Sequence, residues 1–417
     1  MHQNEQRSLS KTALLAGLLV SADQWGLTMA ESKHNIGNGE APVWAAEYGP
    51  GVDPFFRPLP NQSLNELLRA CAQTHGPRRA FSVCLSDRLQ ASKTFAAVDR
   101  EVDAFAAYLR FVLGISPGDR VAVQLPNGLA YPVVAFGALR AEAILVNVNP
   151  LFTPSETQRE LADSGARVLV VADRFANNIP DSIEDTAIEQ VITASMLHGF
   201  GALKRNALHA VLRYVRREIP APYPAATTLR WALRQGERHI DALRAAAPTR
   251  GGDDTALLQY TGGTTGTPKG AEISHNNLLA NISQTRAIAG PVLREGEDVV
   301  LTALPLYHIF AFTFNLFIFY TAGAHNVLCP NPRPPSRLKP GFNNFPITKF
   351  AAVNALFQGL LREQWFRDAP PPHLDFTVAG GTALQQVVGE DWQAVTGNPV
   401  YEGYGLTATT GLASDNP

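Results

Sequence analysis

The spacing of apolar and polar positions changes repeatedly from about residue 60 onward. DRVAVQLP (119–126) reads as a strand, and NGLAYPVVAFGALRAE behind it returns its apolar residues at helical spacing. AILVNVN (143–149) predicts another strand, TPSETQRELADSG a helix, and ARVLVVAD (166–173) a third strand. Thr153 or Ser155 is placed to cap that helix, with acidic Glu156 in its first turn. Repeated strand–helix–strand units predict an α/β fold with parallel sheets. No internal repeat or low-complexity tract interrupts the pattern.

Three stretches depart from this rhythm. IFAFTFNLFIFY (309–320) is apolar but too short to span a bilayer, so it predicts a buried core element. In GFGALKRNALHAVLRYVRREI (199–219), Leu203, Ala207, Leu208, Val211, Leu212, Val215 and Ile219 recur at helical spacing among Lys204, Arg205, Arg213, Arg216 and Arg217. Such a basic amphipathic helix suits an anionic membrane surface. The plainer expectation, which we favour, is a surface helix docked on the core with its arginines in water. The third stretch, SKTALLAGLLVSADQWG, has Arg7 and Lys11 at its basic flank and imitates a secretion signal. Its apolar run is short, and residues 1–40 are expected to form a loose N-terminal extension. IPAPYPAA and NPRPPSRLKPG read as a linker and a loop.

At 417 residues the chain is expected to hold at least two subdomains with large cores. Apolar residues make up 45% and charged residues 17%, and the net charge of −2 gives no general reason to expect nucleic acid or another polyanion. Cys71, Cys84 and Cys329 form no CxxC pair, which argues against a disulfide framework or zinc site and for a cytoplasmic location.

LLQYTGGTTGTPKGAEIS (257–274) carries the candidate chemistry. Its glycines and lysine suggest a phosphate loop, yet Lys269 follows Pro268, and strand-like segments lie on both sides. A Walker loop leads from strand into helix, so a P-loop kinase or GTPase is disfavoured. Gly262, Gly263, Gly266 and Gly270 let backbone N–H groups face an anion closely. Thr261, Thr264, Thr265 and Thr267 add hydroxyls, and Lys269 a mobile positive charge.

That stretch resembles the phosphate loop of the adenylate-forming superfamily. TALPLYHIFAFTFN (302–315) resembles its aromatic/histidine motif, and VAGGTALQQVVGEDWQAVTGNPVYEGYGLTATTG (378–411) its adenine and carboxylate motifs. LPLYHIFA, QQVV and EGYGLT are most similar to bacterial long-chain fatty acyl-CoA synthetases, and the likeness runs from APVWAAEY (41–48) to the C-terminus. The resemblance implies stacked mixed and parallel sheets flanked by helices over 41–417. It also implies a reaction in which a fatty acid attacks ATP to give an acyl adenylate, followed by transfer to coenzyme A.

Carried over residue by residue, the resemblance implies that 261–270, including Lys269, holds the β- and γ-phosphates. It assigns Gly380, Gly381 and Thr382 to the adenine loop, and Glu402, Gly403, Tyr404 and Gly405 to the nucleotide motif, with Tyr404 stacking on the base. Thr407 would meet the α-phosphate and His308 orient the carboxylate. FIFYTAG and FAAVNALFQGLL, with Val353, Asn354 and Phe357, would line an acyl slot whose depth sets chain length, at roughly 0.8 kcal/mol per buried CH₂.

Two departures qualify that expectation. Relatives carry a Mg²⁺-binding glutamate after YGLT, where this chain has Ala408. Thr261 is then the one protein ligand in view, and weaker metal binding with slower adenylation is expected. The resemblance also implies a ribose-binding aspartate, a hinge and a small C-terminal domain with a catalytic lysine beyond Pro417, so thioester formation is not expected of residues up to 417. Two alternatives stay open: a pseudoenzyme that binds nucleotide or acyl chain without turnover, and a ligase for another carboxylate. Amino acids are disfavoured because 308–320 holds no acidic group for the amine. A homodimer and a peripheral seat on the inner membrane are left open.

Overall fold

The computed structural model describes Leu59, residues 63–261 and residues 268–416, all within one compact unit, Pro50–Pro417. The expected loose extension, residues 1–40, and the loop residues Gly262, Gly263, Thr264, Thr265, Gly266 and Thr267 lie outside the described residues.

Two sheets form the frame. The first has seven strands in the order Thr227–Thr228, Gln190–Ala194, Val168–Ala172, Arg120–Gln124, Ile144–Asn147, Thr255–Thr261 and Lys269–Ser274. All its neighbours are parallel except the last pair, an antiparallel hairpin. The second has eight strands: Ser414–Asn416, Val400–Tyr404, Phe376–Ala379, Lys349–Ala352, Val299–Thr302, His325–Leu328, Arg79–Ser86 and Leu89–Thr94. Its six central strands are parallel, and an antiparallel strand closes each edge.

Alternation along the strands sorts residues into layers. Val121, Val123, Leu145 and Leu257 from the first sheet share one core with Val300, Leu328, Ala351 and Val378 from the second. The helices Phe95–Ala107, Ala130–Arg140 and His275–Ala289 fill this central layer. Outside the second sheet, Leu301, Val327 and Phe350 pack with Trp392, and outside the first, Ala122, Val146 and Leu169 pack with Leu161. The order is therefore helix, sheet, helix, sheet, helix, with strands apolar on both faces as parallel sheets require.

The predicted strands and helices fall in place, but NPRPPSRLKPG, expected as a loop, holds a 3-10 turn at Pro335–Leu338 and the start of a helix at Lys339–Asn344. Pro154–Ser164 begins with the Thr153–Glu156 capping box, and Gly165 ends it at φ 59. Residues 309–321 form one helical run, buried except for half-buried Phe310, with a π-type turn at Phe312–Ile318. FIFYTAG therefore belongs to the core: Tyr320 packs on Phe95, Phe81 and Phe136 rather than lining a slot. The basic segment is helical over Ala202–Ala210 and continues in a π-type turn, Val211–Val215, but it buries none of its own residues. Leu208 and Leu212 lean on the core, while Leu203 and Val215 face solvent. The apolar positions thus divide between two opposite faces of the helix. Among the described residues no helix is long and apolar enough to cross a membrane.

Candidate functional site

Parallel neighbours deliver their carboxyl ends to the same rim of a sheet, where ligands bind in open α/β folds. Val299–Thr302 leads toward His308, Lys349–Ala352 toward Val353 and Asn354, Phe376–Ala379 into Gly380–Thr382, and Val400–Tyr404 into Gly405–Ala408. Topology thus gathers the second and third motifs on one rim.

The first motif arrives from the other sheet. Thr255–Thr261 and Lys269–Ser274 pair antiparallel with Thr261 opposite Lys269, so the glycine–threonine loop joins strand to strand, as its flanks predicted. Lys269 is exposed at the mouth of the hairpin, and the short turn Thr407–Thr409 packs against both hairpin strands. A Cβ at Gly270 would stand 3.1 Å from the Tyr260 ring, so glycine lets that ring lie flat over the strand.

A set of buried amides, which the sequence reading did not single out, fixes the segment before His308. Asn127 donates from Nδ2 to the carbonyls of Thr302 (3.2 Å) and Leu304 (2.8 Å) and accepts from Leu306 N–H (2.9 Å). Gln259, on the hairpin strand, donates to the Tyr307 carbonyl (3.1 Å) and accepts from Asn147 Nδ2 (3.2 Å). The Tyr131 hydroxyl lies 2.8 Å from both Asn147 Oδ1 and the Leu306 carbonyl. The hairpin and the histidine are thereby held by one continuous polar chain inside an apolar core. Its only sequence signal was an amide inside an otherwise apolar strand, as in ILVN and TALLQYT.

His308 itself is exposed, and its imidazole makes no hydrogen bond among the described residues. Protein packed around the mouth nevertheless lowers its pKa by desolvation, so the neutral ring prevails at pH 7. Burial raises the pKa of neighbouring Tyr307, and Arg333 lies close enough to oppose that shift.

The glycine-rich loops are set by close approach. Gly381 has φ +78, and a Cβ on Gly380 would meet the Phe310 ring at 2.8 Å. A Cβ on Gly405 would sit 1.6 Å from the Gly411 carbonyl oxygen. Tyr404 stands 60% exposed, free to offer a flat face. Thr407 is half-buried, with no side-chain hydrogen bond among the described residues. Glu402 accepts from Leu384 N–H (3.2 Å) and so straps the 380–385 loop to the neighbouring strand, beside Gly403.

A family model described as AMP-binding enzyme matches residues 68–417. The chain belongs to the AMP-binding enzyme family. It is 40% identical over 376 residues to a long-chain-fatty-acid–CoA ligase of Salmonella typhimurium, covering 90% of this chain and 65% of the relative. A ligase of the same description from Yersinia pestis is 38% identical over 381 residues, again covering 90% and 65%. The chain thus spans just under two thirds of the length of these relatives. Among solved structures it resembles a long-chain-fatty-acid–CoA ligase of Archaeoglobus fulgidus (TM-score 0.70, 21% identity, 89% of this chain and 69% of that one). A benzoate CoA ligase of Burkholderia xenovorans is similar too (TM-score 0.67, 22% identity, 85% and 63%). These likenesses show the fold, with its stacked sheets and flanking helices.

Against that family pattern, the acyl-slot residues divide. Val353 is half-buried beside the glycine loop, its Cγ1 3.5 Å from where a Gly381 Cβ would be. Asn354 Oδ1 accepts from Gln385 N–H (3.0 Å) and so serves the loop. Phe357 is fully buried, edge-on to Trp392 at 4.8 Å, and belongs to the outer core. Of the three, Val353 and Asn354 stand at the rim beside the glycine loop, and Phe357 lies in the outer core. For magnesium the residues present do not make a holder. No cluster of three or more His, Cys, Asp or Glu suits a metal among the described residues, and Thr261 Oγ1 is 3.5 Å from the Lys269 carbonyl with a methyl at Ala408.

Proposed function

We propose that this chain is the large domain of an AMP-forming long-chain fatty acid–CoA ligase acting in the cytoplasm. The carrying observation is the meeting of the two strands that flank the glycine–threonine stretch, a glycine loop, an exposed tyrosine and a free threonine at one rim. Identity of 40% to relatives described as such ligases supports the same reading.

In the first half-reaction a carboxylate oxygen forms a bond to the α-phosphorus of ATP, and the bond to the bridging oxygen breaks, releasing pyrophosphate. Two anions meet in that step, so positioning and charge stabilisation dominate. Lys269, exposed at the mouth of the hairpin, offsets charge on the departing pyrophosphate, with Thr261 opposite it, and the glycines and threonines of 262–267 are residue types suited to the phosphates. Tyr404 stacks on adenine along the backbone of Gly380 and Gly381, beside Thr382, and the Thr407 hydroxyl donates to the α-phosphate. A neutral His308, held by the amide chain, donates to the carboxylate without pairing with it as a cation. Any magnesium must then travel on the phosphates of ATP. Coenzyme A would take the acyl group in the second half-reaction of the complete protein.

Pyrophosphate exchange with ATP and fatty acids of graded length tests this. Exchange rising with palmitate-like acids, and falling on the order of 10²-fold in Lys269→Ala, is expected; an unchanged rate in that variant removes its assigned role. A second reading, nucleotide binding without turnover, is favoured by Ala408. Under the ligase reading Ala408→Glu raises exchange; nucleotide binding without exchange in both proteins selects the second.

A further inference from the structure

Two cysteines meet across the second sheet. Arg79–Ser86 and His325–Leu328 run parallel, with Ser82 opposite Val327 and Val83 opposite Leu328, so the next position on the two chains is Cys84 and Cys329. Both still follow the sheet there: Cys84 pairs with Gln90 on its other side, and Cys329 N–H donates to the Thr302 carbonyl (3.0 Å). Alternation turns Val83 and Leu328 to the central core and both cysteines to the outer one, beside Val327. Neighbouring strands lie about 4.8 Å apart, and a disulfide spans Cα separations of roughly 4.4–6.8 Å. Cys71 packs in the central core, on the opposite face of the sheet, and cannot join them.

The pair stands at the carboxyl ends of its strands, on the rim that carries the candidate site. Both residues are 6% exposed. Cys84 Sγ donates to the Ser86 carbonyl (3.7 Å), toward the strand end where Leu85 reaches solvent. Burial, and then the Asp87 charge, pushes the Cys84 thiol up to about 11. Burial pushes Cys329 up to about 12, and the nearby Cys84 sulfur adds to the rise. At pH 7 both are protonated and slow to oxidise, with Cys84 the first to react. Past Cys329 the chain runs through Pro330 to Arg333, whose charge reaches Tyr307 beside His308.

We propose that Cys84 and Cys329 are a redox pair, closed by a hydroperoxide into a disulfide that disturbs the acid end of the rim. The Cys84 thiolate attacks one oxygen of hydrogen peroxide and the O–O bond breaks. The sulfur becomes a sulfenic acid, and the departing hydroxide takes up the proton Cys84 released. Cys329 sulfur then bonds to Cys84 Sγ, and the expelled hydroxyl leaves with the Cys329 proton as a second water. Two thiols are oxidised and one peroxide is reduced to two waters. A small uncharged oxidant suits sulfurs buried this far. As filler alone cysteine acts as a small hydrophobe, a role that gives no reason for two of them to face each other. Closing the bond draws the Cβ atoms to about 3.8 Å, roughly 1 Å inside the strand spacing, and so shifts the root of residues 330–334. The effect on the acid rests on the ligase reading above; the bond itself does not.

The test treats the whole chain with excess hydrogen peroxide, removes the excess with catalase, and counts thiols after denaturation. Free thiols should fall from three to one, with a linked peptide holding Cys84 and Cys329 and full return in dithiothreitol. Cys71→Ser should fall from two to none, while Cys84→Ser and Cys329→Ser yield no linked peptide. The map of the parent decides the case even where a variant folds poorly. Three thiols kept, oxidation without a link, or a link through Cys71 or between two chains overturns the pair. In the linked parent, kcat/KM for the fatty acid in pyrophosphate exchange should fall, by up to about 10²-fold, with ATP binding kept and the rate restored by dithiothreitol. A linked protein with unchanged kcat/KM overturns the hold on the rim. A link without exchange in either redox state sinks the ligase reading and leaves the pair standing; exchange without a link does the opposite.

Discussion

Asn127 is the residue on which the geometry of the histidine segment most depends. It is 3% exposed and spends its whole side chain on the carbonyls of Thr302 and Leu304 and the N–H of Leu306. Thr302 keeps a second partner, since its carbonyl also accepts from Cys329 N–H at 3.0 Å. Replacement by alanine therefore orphans two buried backbone groups, the Leu304 carbonyl and the Leu306 N–H. At about 1–3 kcal/mol each, Asn127→Ala should cost roughly 2–6 kcal/mol. With an unfolding entropy of about 2 cal/mol/K per residue, that lowers Tm by about 2–7 °C. The loss is local to 303–308, so pyrophosphate exchange at 25 °C, well below Tm, should fall through a raised KM for the fatty acid while ATP binding is kept. Thermal unfolding by tryptophan fluorescence and exchange kinetics read the two effects separately. A Tm within 1 °C of the parent, together with an unaltered KM for the acid, refutes the claim that this amide holds the segment.

Two further perturbations probe other parts of the rim. Gly405→Ala places a Cβ 1.6 Å from the Gly411 carbonyl oxygen, so the 405–411 turn must open; ATP binding measured by calorimetry should be lost, and unchanged affinity refutes the close-approach argument. Glu160 is 3% exposed with Oε2 unpartnered, and burial, followed by the nearby charge of Glu156, pushes its carboxyl up to about 8. A raised folded pKa means the native state holds a proton the unfolded chain has released, so stability falls as pH rises from about 4.5 to about 8 and levels off above. Urea midpoints of Glu160→Gln should lack that decline and exceed the parent's at pH 8; parallel curves for the two proteins refute it.

The elements legible in the sequence were those whose cause is local. A period-two or continuous apolar run bounded by turn residues gave the strands at Arg120–Gln124, Ile144–Asn147 and Val168–Ala172, and the Thr153 cap marked its helix start. The antiparallel pairing of the two strands that flank 262–267 was equally local, read from those flanks. What escaped was set by distant partners. Asn127 reaches Leu304 across 177 positions, and Gln259 reaches Tyr307 across 48. A polar side chain in an apolar strand says that something must meet it, but not what. The basic helix shows the same limit: helical spacing revealed the apolar positions, and only packing could tell Leu208, which faces the core, from Leu203, which faces out.

Ala408 tests whether scaffold and chemistry can be separated at this site. The turn that carries it is held by neighbours on both sides. Leu406 N–H donates to Thr409 Oγ1 (3.0 Å), Thr313 Oγ1 to the Thr410 carbonyl (2.5 Å), Asn281 Nδ2 to the Leu412 carbonyl (2.6 Å), and Ala413 N–H to the Tyr404 carbonyl (2.8 Å). None of these bonds involves residue 408, whose methyl is exposed. The backbone course is therefore indifferent to that side chain, and a longer one can be accommodated without moving Thr407 or Tyr404. It follows that Ala408→Glu should leave Tm within about 1 °C, as exposed substitutions generally do, while altering the dependence of exchange on magnesium. A change in both together would mean that position 408 belongs to the scaffold after all.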